Sequence, residues 1–427
     1  MWKKFVFKLM IVLIIAYTIV SFSNFNIIRY KNIPVTNTSR ILAKETMLTL
    51  VKNAILTEVD SKSCFKSIAT DNAILVYSAY LETRPYILRV IGITRLRNNS
   101  NVRCILHYKH TNTFLFTDGK IKRIPEHHRK RYTAMFILCN MTGTDAPDAV
   151  SFYYEKSLLH LPHEVTVVKT TQHFPKLKFS MCVSPLHSMF NDTTQLIEWI
   201  ELNWLLGVER FMFYINSISQ NVSRVLEYYK RKEIVQLIIW KIPKYLEDDV
   251  HYYGQLAALN DCLYRNKGKS IYLSSTDLDE FIIPQKPEHF TWSDMMDDLP
   301  LYSVYIVRSS FFSCSKQQLC KHGMTIDSYN VRDNIILRRH VRSKYICKTS
   351  EVIVMGVHYA WEIHNGGEYT FEPEVALLHH YRRLSTFYTL QEPKKVLHSC
   401  ARKYSAYLKR NIFKVIPEIF NKRASQL

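Results

Sequence analysis

Three carboxylates, Asp277, Asp279 and Glu280, fall within four positions of the stretch SSTDLDEFIIP. Carboxylates this close repel one another unless a cation or a bound proton lowers the cost. Asp277 and Asp279 are separated by one residue, and in an extended segment such side chains leave the same face. Two hard oxygen donors on one face suit Mg2+ or Mn2+. A cation held there can bridge the two phosphates of a nucleotide-sugar and neutralise the departing diphosphate. The same alternation sends Leu278 into apolar packing. It puts Glu280 on the opposite face, as a support for the backbone or for the ligands. A glycoside hydrolase needs two carboxylates roughly 5 to 10 Å apart across a cleft, and this crowded spacing suits one cation better.

The elements that must position the cluster lie upstream. After Pro175 the pattern alternates strand and helix: KFSMCVSPL, then TTQLIEWIELNWLLG, ERFMFYIN, SQNVSRVLEYYKRK, EIVQLIIWKIP, YYGQLAALNDCLYRNKG and KSIYLSST. Leu196, Ile197, Ile200, Trp204 and Leu205 recur at helical spacing, Gly207 and Gly268 fall where helix ends are expected, and Ser219 stands as an N-cap. Strands alternating with helices imply βαβ units and a mainly parallel sheet. Ligands bind at the carboxyl ends of the strands of such sheets, and Asp277 follows the fourth of them. Residues 73–172 read differently. Short β-branched and aromatic runs from AILVYSAYLE to EVTVVKTT predict an all-β module of six or seven strands.

The chain begins MWKKFVFKLMIVLIIAYTIVSF, with Lys3, Lys4 and Lys8 before an apolar run. This predicts a cytoplasmic tail over 1–8, a signal-anchor transmembrane helix over 9–28 and a stem over 29–72. A signal peptide cleaved near Ser21-Phe22-Ser23 is the alternative. Sequons at Asn37, Asn98, Asn140, Asn191 and Asn221 agree with passage through the secretory pathway. None of the nine cysteines forms a CxxC pair, which argues against zinc ribbons. An oxidising lumen predicts disulfides, with Cys314 and Cys320 the candidate local pair and an odd thiol left over. The net charge of +20 (57 basic against 37 acidic residues) is spread along the chain. No zinc-finger spacing, RNA-binding aromatic motif or basic heptad accompanies it, so nucleic acid is not an expected partner. With only 10 glycines, a Gly-rich phosphate loop is not expected either.

In order along the chain, SPLHSMFNDTTQLIEWIELNWLLGVERFMFYIN, AALNDCLYR, SSTDLDEFIIP, VMGVHYAWE and ALLHHYR resemble glycosyltransferase family 92, the former DUF23 group, numerous in nematodes. VYSAYLETRPYILRVIGI resembles the N-terminal part of the same family. The resemblance covers about 73–385. It implies a GT-A-like catalytic domain with a mainly parallel sheet, placed at 173–390 and followed by a C-terminal helical extension at 391–427. It further implies a type II single-pass protein of the Golgi. The activity implied is metal-dependent transfer from a nucleotide-sugar, with characterised relatives using UDP-galactose and inverting to a β-linked product. The acceptor would be a glycan on a glycoprotein or glycolipid, such as a fucosylated N-glycan.

On that footing a set of residues follows. Mn2+ or Mg2+ would be held by Asp277 and Asp279, with His358 or His380 as a ligand from the C-terminal side. Arg382 would meet the diphosphate, since Arg suits phosphate geometry. Ser184, His187, Asn216, Gln255 and Asp261 are donor-binding candidates, although helical Asp261 equally suits a salt bridge to Arg265. An inverting transferase needs a base for the acceptor proton. Asp333, Glu362 and Glu374 are the candidates, and Glu362, beside a Trp361 able to stack on a sugar, is preferred. A function of another class remains open: an inert, membrane-anchored protein that holds glycans through its β module.

Overall fold

The computed structural model describes residues 64–68, 72–83, 85–97, 101–141, 145–154, 164–169, 176–297, 299–314, 324–382 and 394–420. All lie in the second of two compact units, Asp60–Leu427. The expected tail, anchor and most of the stem lie outside the described residues. Among the described residues no helix is long and apolar enough to cross a membrane.

The first part is a sheet of β1 (Lys66–Ser67), β2 (Ile74–Thr83), β3 (Tyr86–Arg95), β4 (Val102–Tyr108), β5 (Thr113–Arg123), β6 (Tyr132–Asn140), β7 (Ala149–Tyr154) and β8 (Val165–Lys169). The order is β1-β2-β3-β6-β5-β4-β7-β8, and β8 also pairs with β2. That last pairing closes β2 to β8 into a barrel, which removes their open edges. β5 has no counterpart among the expected strands. Its residues are half-exposed along their length, so it lacks the apolar run by which a strand is recognised. The Cys104–Cys139 disulfide joins β4 to β6 across β5. It passes over Gly119, where a Cβ would lie 2.9 Å from Cys104 Sγ.

From β9 (Leu177–Leu186) the chain alternates through α1 (Thr193–Leu205), β10 (Arg210–Ile215), α2 (Gln220–Arg231), β11 (Val235–Ile239), α3 (Gln255–Asn266) and β12 (Ser270–Ser275). β11, β10, β9 and β12 run parallel. Asp192 and Ser219 cap α1 and α2 by accepting backbone N–H bonds from Gln195 and Val222. The strand order reverses between β9 and β12, because β10 and β11 extend to one side and β12 to the other. This is the switch point at which open α/β sheets bind ligands.

Next come β13 (Glu280–Pro284), α4 (Trp292–Met296), β14 (Val304–Val307), β15 (Ser309–Ser313), α5 (Thr325–Ser328), β16 (Val331–Asp333), β17 (Lys344–Lys348), β18 (Val352–Met355), β19 (Ala360–Ile363), β20 (Glu368–Thr370), β21 (Ala376–Tyr381), β22 (Lys395–Leu397) and α6 (Ser405–Phe420). β17 adds antiparallel to β12, β14 adds antiparallel to β17, and β20 follows parallel to β14. The central sheet, β11-β10-β9-β12-β17-β14-β20, is thus mainly parallel, with β17 alone running against the other strands. A second sheet, β13-β21-β15-β16-β22, starts where β12 ends, and β18 and β19 form a hairpin.

One core lies on the α1 and α2 side of the central sheet and extends to α4 and α6. A second lies on the α3 side and includes Leu75, Tyr80, Ile91 and Phe136 of the barrel, with Phe65 ahead of β1. Barrel and α/β domain thus share a core. Trp240 is fully buried in it, with ring centroids 4.9, 4.4 and 5.1 Å from Phe65, Tyr77 and Tyr214. Removing a side chain of this kind costs about 3–5 kcal/mol.

Candidate active site

The chain does not stay extended after β12. Glu280 N donates to Asp277 O at 3.1 Å, closing a turn over 277–280. The strict alternation expected of the acidic stretch therefore fails. Glu280 does not face away from the aspartates: its Oε2 accepts from Asp277 N at 3.1 Å, and its side chain is buried while those of Asp277 and Asp279 stay partly exposed. Leu278 is partly buried against the apolar core.

Two side chains from distant strands meet this turn. Lys344, the first residue of β17, is buried and puts Nζ 3.2 Å from both Asp277 Oδ2 and Glu280 Oε2. His380 of β21 lies opposite Glu280 in the antiparallel pairing. Its Nδ1 stands 3.2 Å from Glu280 Oε1 and its Nε2 stands 3.4 Å from Asp279 Oδ2. Arg382 Nε donates to His380 Nε2 at 3.1 Å. That bond makes Nε2 the acceptor and leaves the proton on Nδ1, a buried nitrogen that makes no hydrogen bond although Glu280 Oε1 is near.

The charges follow from these contacts. Burial by itself would raise Asp277, but the Lys344 ammonium holds it below the ordinary carboxylate range. Burial pushes Glu280 up, with Lys344 opposing. Burial would lower Lys344, yet Asp277 and Glu280 together raise it, so it stays charged. The cluster carries its own cation.

Ser184, at the end of β9, donates its hydroxyl to Asp277 Oδ1 at 3.3 Å and accepts from Gln255 Nε2 at 2.7 Å. Ser184, Gln255, Asp277, Asp279, Glu280, His380 and Arg382 are thus brought together. His187 stacks on Tyr253, with centroids 4.1 Å apart. Just before α3, Tyr252, Tyr253 and Gly254 all have left-handed backbones, at φ 45, 54 and 78. Non-glycine residues in this region cost about 1–3 kcal/mol each. Trp240 Nε1 pins the turn by donating to Tyr253 O at 2.9 Å. Tyr252 is half-exposed, and burial, then the charges of Asp277 and Asp279, raise its hydroxyl. The strained turn therefore presents an aromatic ring beside the acidic cluster.

Other expected residues take structural roles. Asp261 is fully buried and accepts from Ser78, Tyr80, Tyr214 and Arg265 at 2.5, 2.6, 2.7 and 2.5 Å. Four donors saturate it, so it ties the barrel to α3 and does not touch a nucleotide. Asn216 spends its side-chain oxygen on Ile242 N at 3.4 Å. Glu362 lies on β19, ion-paired to Lys122 of β5. Its charge is felt by Tyr264, nine residues and about 14 Å along α3 from Gln255. It is not the base beside the cluster. Asp333 is ion-paired to Lys395. Glu374 precedes β21 at the end away from His380, roughly 20 Å off along the strand.

His358 is not gathered with the carboxylates as a ligand, and no group of three His, Cys, Asp or Glu able to hold a metal occurs among the described residues. Its Nδ1 faces Ser343 O at 3.2 Å. A carbonyl only accepts, so Nδ1 carries the proton and Nε2 carries a lone pair. Burial and then Lys344 lower His358, which keeps it neutral at neutral pH.

Asp279 and His380 come nearest to a pair of ligands for a small divalent cation, provided that the Arg382 guanidinium moves off His380 Nε2. Their nearest atoms are 3.4 Å apart, the spacing of neighbouring ligands, and buried Glu280 lies 3.2 Å from the other ring nitrogen. Mg2+-type sites commonly use one or two protein ligands and complete the sphere with substrate phosphates and water. Asp277 already serves Lys344 and Ser184.

Asn140, Asn191 and Asn221 are exposed, while Asn37 and Asn98 lie outside the described residues. Cys314 is disulfide-bonded; Cys320, its expected partner, lies outside them. A second disulfide, Cys182–Cys262, ties β9 to α3. Cys64, Cys347 and Cys400 are free.

Lys344, Tyr252 and Glu126, described below, were not legible in the sequence. Only Gly254 hinted at the strained turn, by marking where α3 could begin. The site as built is that of a mixed α/β protein with a charged cluster at the switch point of its sheet. The sequence model of glycosyltransferase family 92 matches residues 177–416, more than half of the chain, and the chain belongs to that family. It is 27% identical over 252 residues to beta-1,4-galactosyltransferase galt-1 of Caenorhabditis elegans, covering 52% of this chain and 54% of that protein. It is 24% identical over 254 residues to the galactan beta-1,4-galactosyltransferase GALS2 of Arabidopsis thaliana, covering 57% and 45%. A family 92 protein of Caenorhabditis elegans, F13G3.3, is 29% identical over 119 residues, covering 26% and 23%. The chain spans about half the length of the curated relatives it matches, or less.

Proposed function

We propose that this chain is a glycosyltransferase of GT-A-like fold. It moves galactose from UDP-galactose, with inversion, onto a hydroxyl of a glycan on a glycoprotein or glycolipid. The observation that carries this reading is the convergence of Asp277, Asp279, Glu280, Lys344 and His380 at the carboxyl end of β12. Family membership and the galactosyltransferase names of the relatives support the donor.

The acceptor oxygen attacks C1 of the galactosyl group on the face opposite the diphosphate. The C1–O bond to the diphosphate breaks, and the acceptor proton passes to a base. His358 is our candidate base, because its Nε2 lone pair is free and its imidazole is neutral. Asp279 and His380 would hold Mn2+ or Mg2+, which when bound supplies Lewis-acid stabilisation of the departing diphosphate. Arg382 adds a guanidinium at the same edge. Lys344 keeps Asp277 ionised and fixed, so the turn need not rearrange as the substrate enters.

The reading places the site in the Golgi lumen, behind an anchor at 9–28. Two disulfides within the described residues and three exposed sequons support an oxidising secretory compartment. The test is a donor screen on the purified chain with and without Mn2+, beside Asp279→Asn. UDP-galactose turnover lost in the variant is the expected result. Absence of binding and turnover of every nucleotide-sugar tried would overturn the reading, and would favour an inert glycan-binding protein.

A further inference from the structure

We propose that Trp361 is the stacking platform for a neutral pyranose of the acceptor, and that Glu126 of the barrel holds it in position. The inference rests on the transferase reading of the neighbouring cluster.

Trp361, on β19, is 37% exposed, yet its ring is fixed on several sides. Its Nε1 donates to Glu126 Oε2 at 3.1 Å. The same oxygen accepts from Val357 N at 3.1 Å, so one carboxylate ties both the loop and the indole. Gly356 packs against the ring, where a Cβ would stand 2.7 Å from Cδ1 and Nε1. The Tyr359 ring lies 4.8 Å away, tilted by 52°, and His340 lies 4.7 Å beyond it. A half-exposed indole would ordinarily turn freely; this one is held with part of its surface presented to solvent.

Its place in the molecule matters as much as its rigidity. The 356–361 loop is bound to the start of β17, where Ser343 Oγ donates to His358 O at 2.9 Å. The next residue, Lys344, is the ammonium between Asp277 and Glu280. His358 senses Lys344, Glu126 and Asp277 together. The platform and the acidic cluster therefore flank one histidine.

The chemistry selects the ligand class. The face of an aromatic ring is electronegative and attracts polarised C–H groups. A pyranose offers a patch of such C–H groups on one face, with its hydroxyls at the rim. The Glu126 carboxylate beside the ring disfavours acidic sugars, so a neutral hexose or deoxyhexose is the fitting occupant. Glu126 is a positioning residue: it acts through Trp361.

The experiment measures saccharide binding without donor. Methyl β-D-galactopyranoside, methyl α-L-fucopyranoside and methyl N-acetyl-β-D-glucosaminide are titrated against the full chain by saturation-transfer difference NMR, and UDP binding is followed in parallel. At least one glycoside is expected to bind. Trp361→Ala should weaken it by roughly tenfold to a hundredfold, the scale of one lost contact in a pocket, and Trp361→Phe should retain most of it. Glu126→Ala should weaken it, and Glu126→Gln should restore it, because the Gln carbonyl accepts from the same two N–H groups. UDP affinity should not move in any variant. The proposal is overturned if no glycoside binds, or if Trp361→Ala binds it as tightly as the parent. Glycoside binding through Trp361 without any binding or turnover of UDP-galactose would instead sink the transferase reading and leave the platform standing.

Discussion

Lys344 Nζ stands 3.2 Å from Asp277 Oδ2 and 3.2 Å from Glu280 Oε2, although 64 or more residues separate it from either in sequence. The first residue of β17 thereby supplies the cation that the acidic turn after β12 requires. Lys344→Met leaves Glu280 buried without its ammonium. Breaking a buried pair in this way costs about 3–5 kcal/mol. Urea denaturation at pH 7 checks this, and a loss below about 1 kcal/mol would show that the pair is not what holds the turn.

Asp279 and His380 are the edge of the cluster at which we propose that a divalent cation binds. Asp279→Asn and His380→Ala should each weaken Mn2+ binding by at least about tenfold, the effect expected of losing one ligand or its support. Calorimetric titration of Mn2+ in the presence of UDP reads this directly. Unchanged Mn2+ affinity in both variants would remove these residues from the metal.

His358→Gln should lower kcat by about 10²–10⁴, the range of a general base, while UDP-galactose affinity stays put. Glu362→Gln should leave kcat near that of the parent, because Glu362 pairs with Lys122. Steady-state kinetics on both variants decides between them. The opposite pattern would restore Glu362 and dismiss His358.

Glu198 gives a pH dependence that belongs to folding. It is buried on α1 and accepts from Thr325 N at 2.7 Å, Thr325 Oγ1 at 2.8 Å and Ile326 N at 3.4 Å. Burial raises its carboxyl to about 7 despite these bonds, which lower it. A raised carboxyl binds its proton more tightly in the folded chain. Its stabilisation is therefore full below the ordinary value of 4.5 and is lost as pH rises through about 7. The loss amounts to roughly 3 kcal/mol. Denaturation midpoints at pH 5.5 and 8 should differ in the parent, and Glu198→Gln should flatten the difference.

Much of the scaffold was legible because it is written in local periodicity. The strands before Asp277, the cap at Ser219, and the helices between β9 and β12 follow from residues near one another in the chain. Helix α3 shows the limit of such reading. Its pattern suggests a start at Tyr252, but the left-handed turn at 252–254 delays it to Gln255, a turn held by contacts from Trp240 and His187. β5 escaped notice because its exposed residues owe their strand conformation to neighbours on both sides.

The sequence by itself determined that carboxylates would stand at the end of a strand in an alternating domain, since composition and spacing are local properties. It did not determine which way they face. An i, i+2 alternation holds only while the backbone stays extended, and the Glu280 to Asp277 hydrogen bond ends that. The tertiary structure decided the rest: that Lys344 neutralises the turn, that Asp261 is a buried strut, and that Glu362 serves the barrel. Each of these is a charge whose partner arrives from a distant strand, and burial makes such pairings strong while leaving no trace in the spacing of residues.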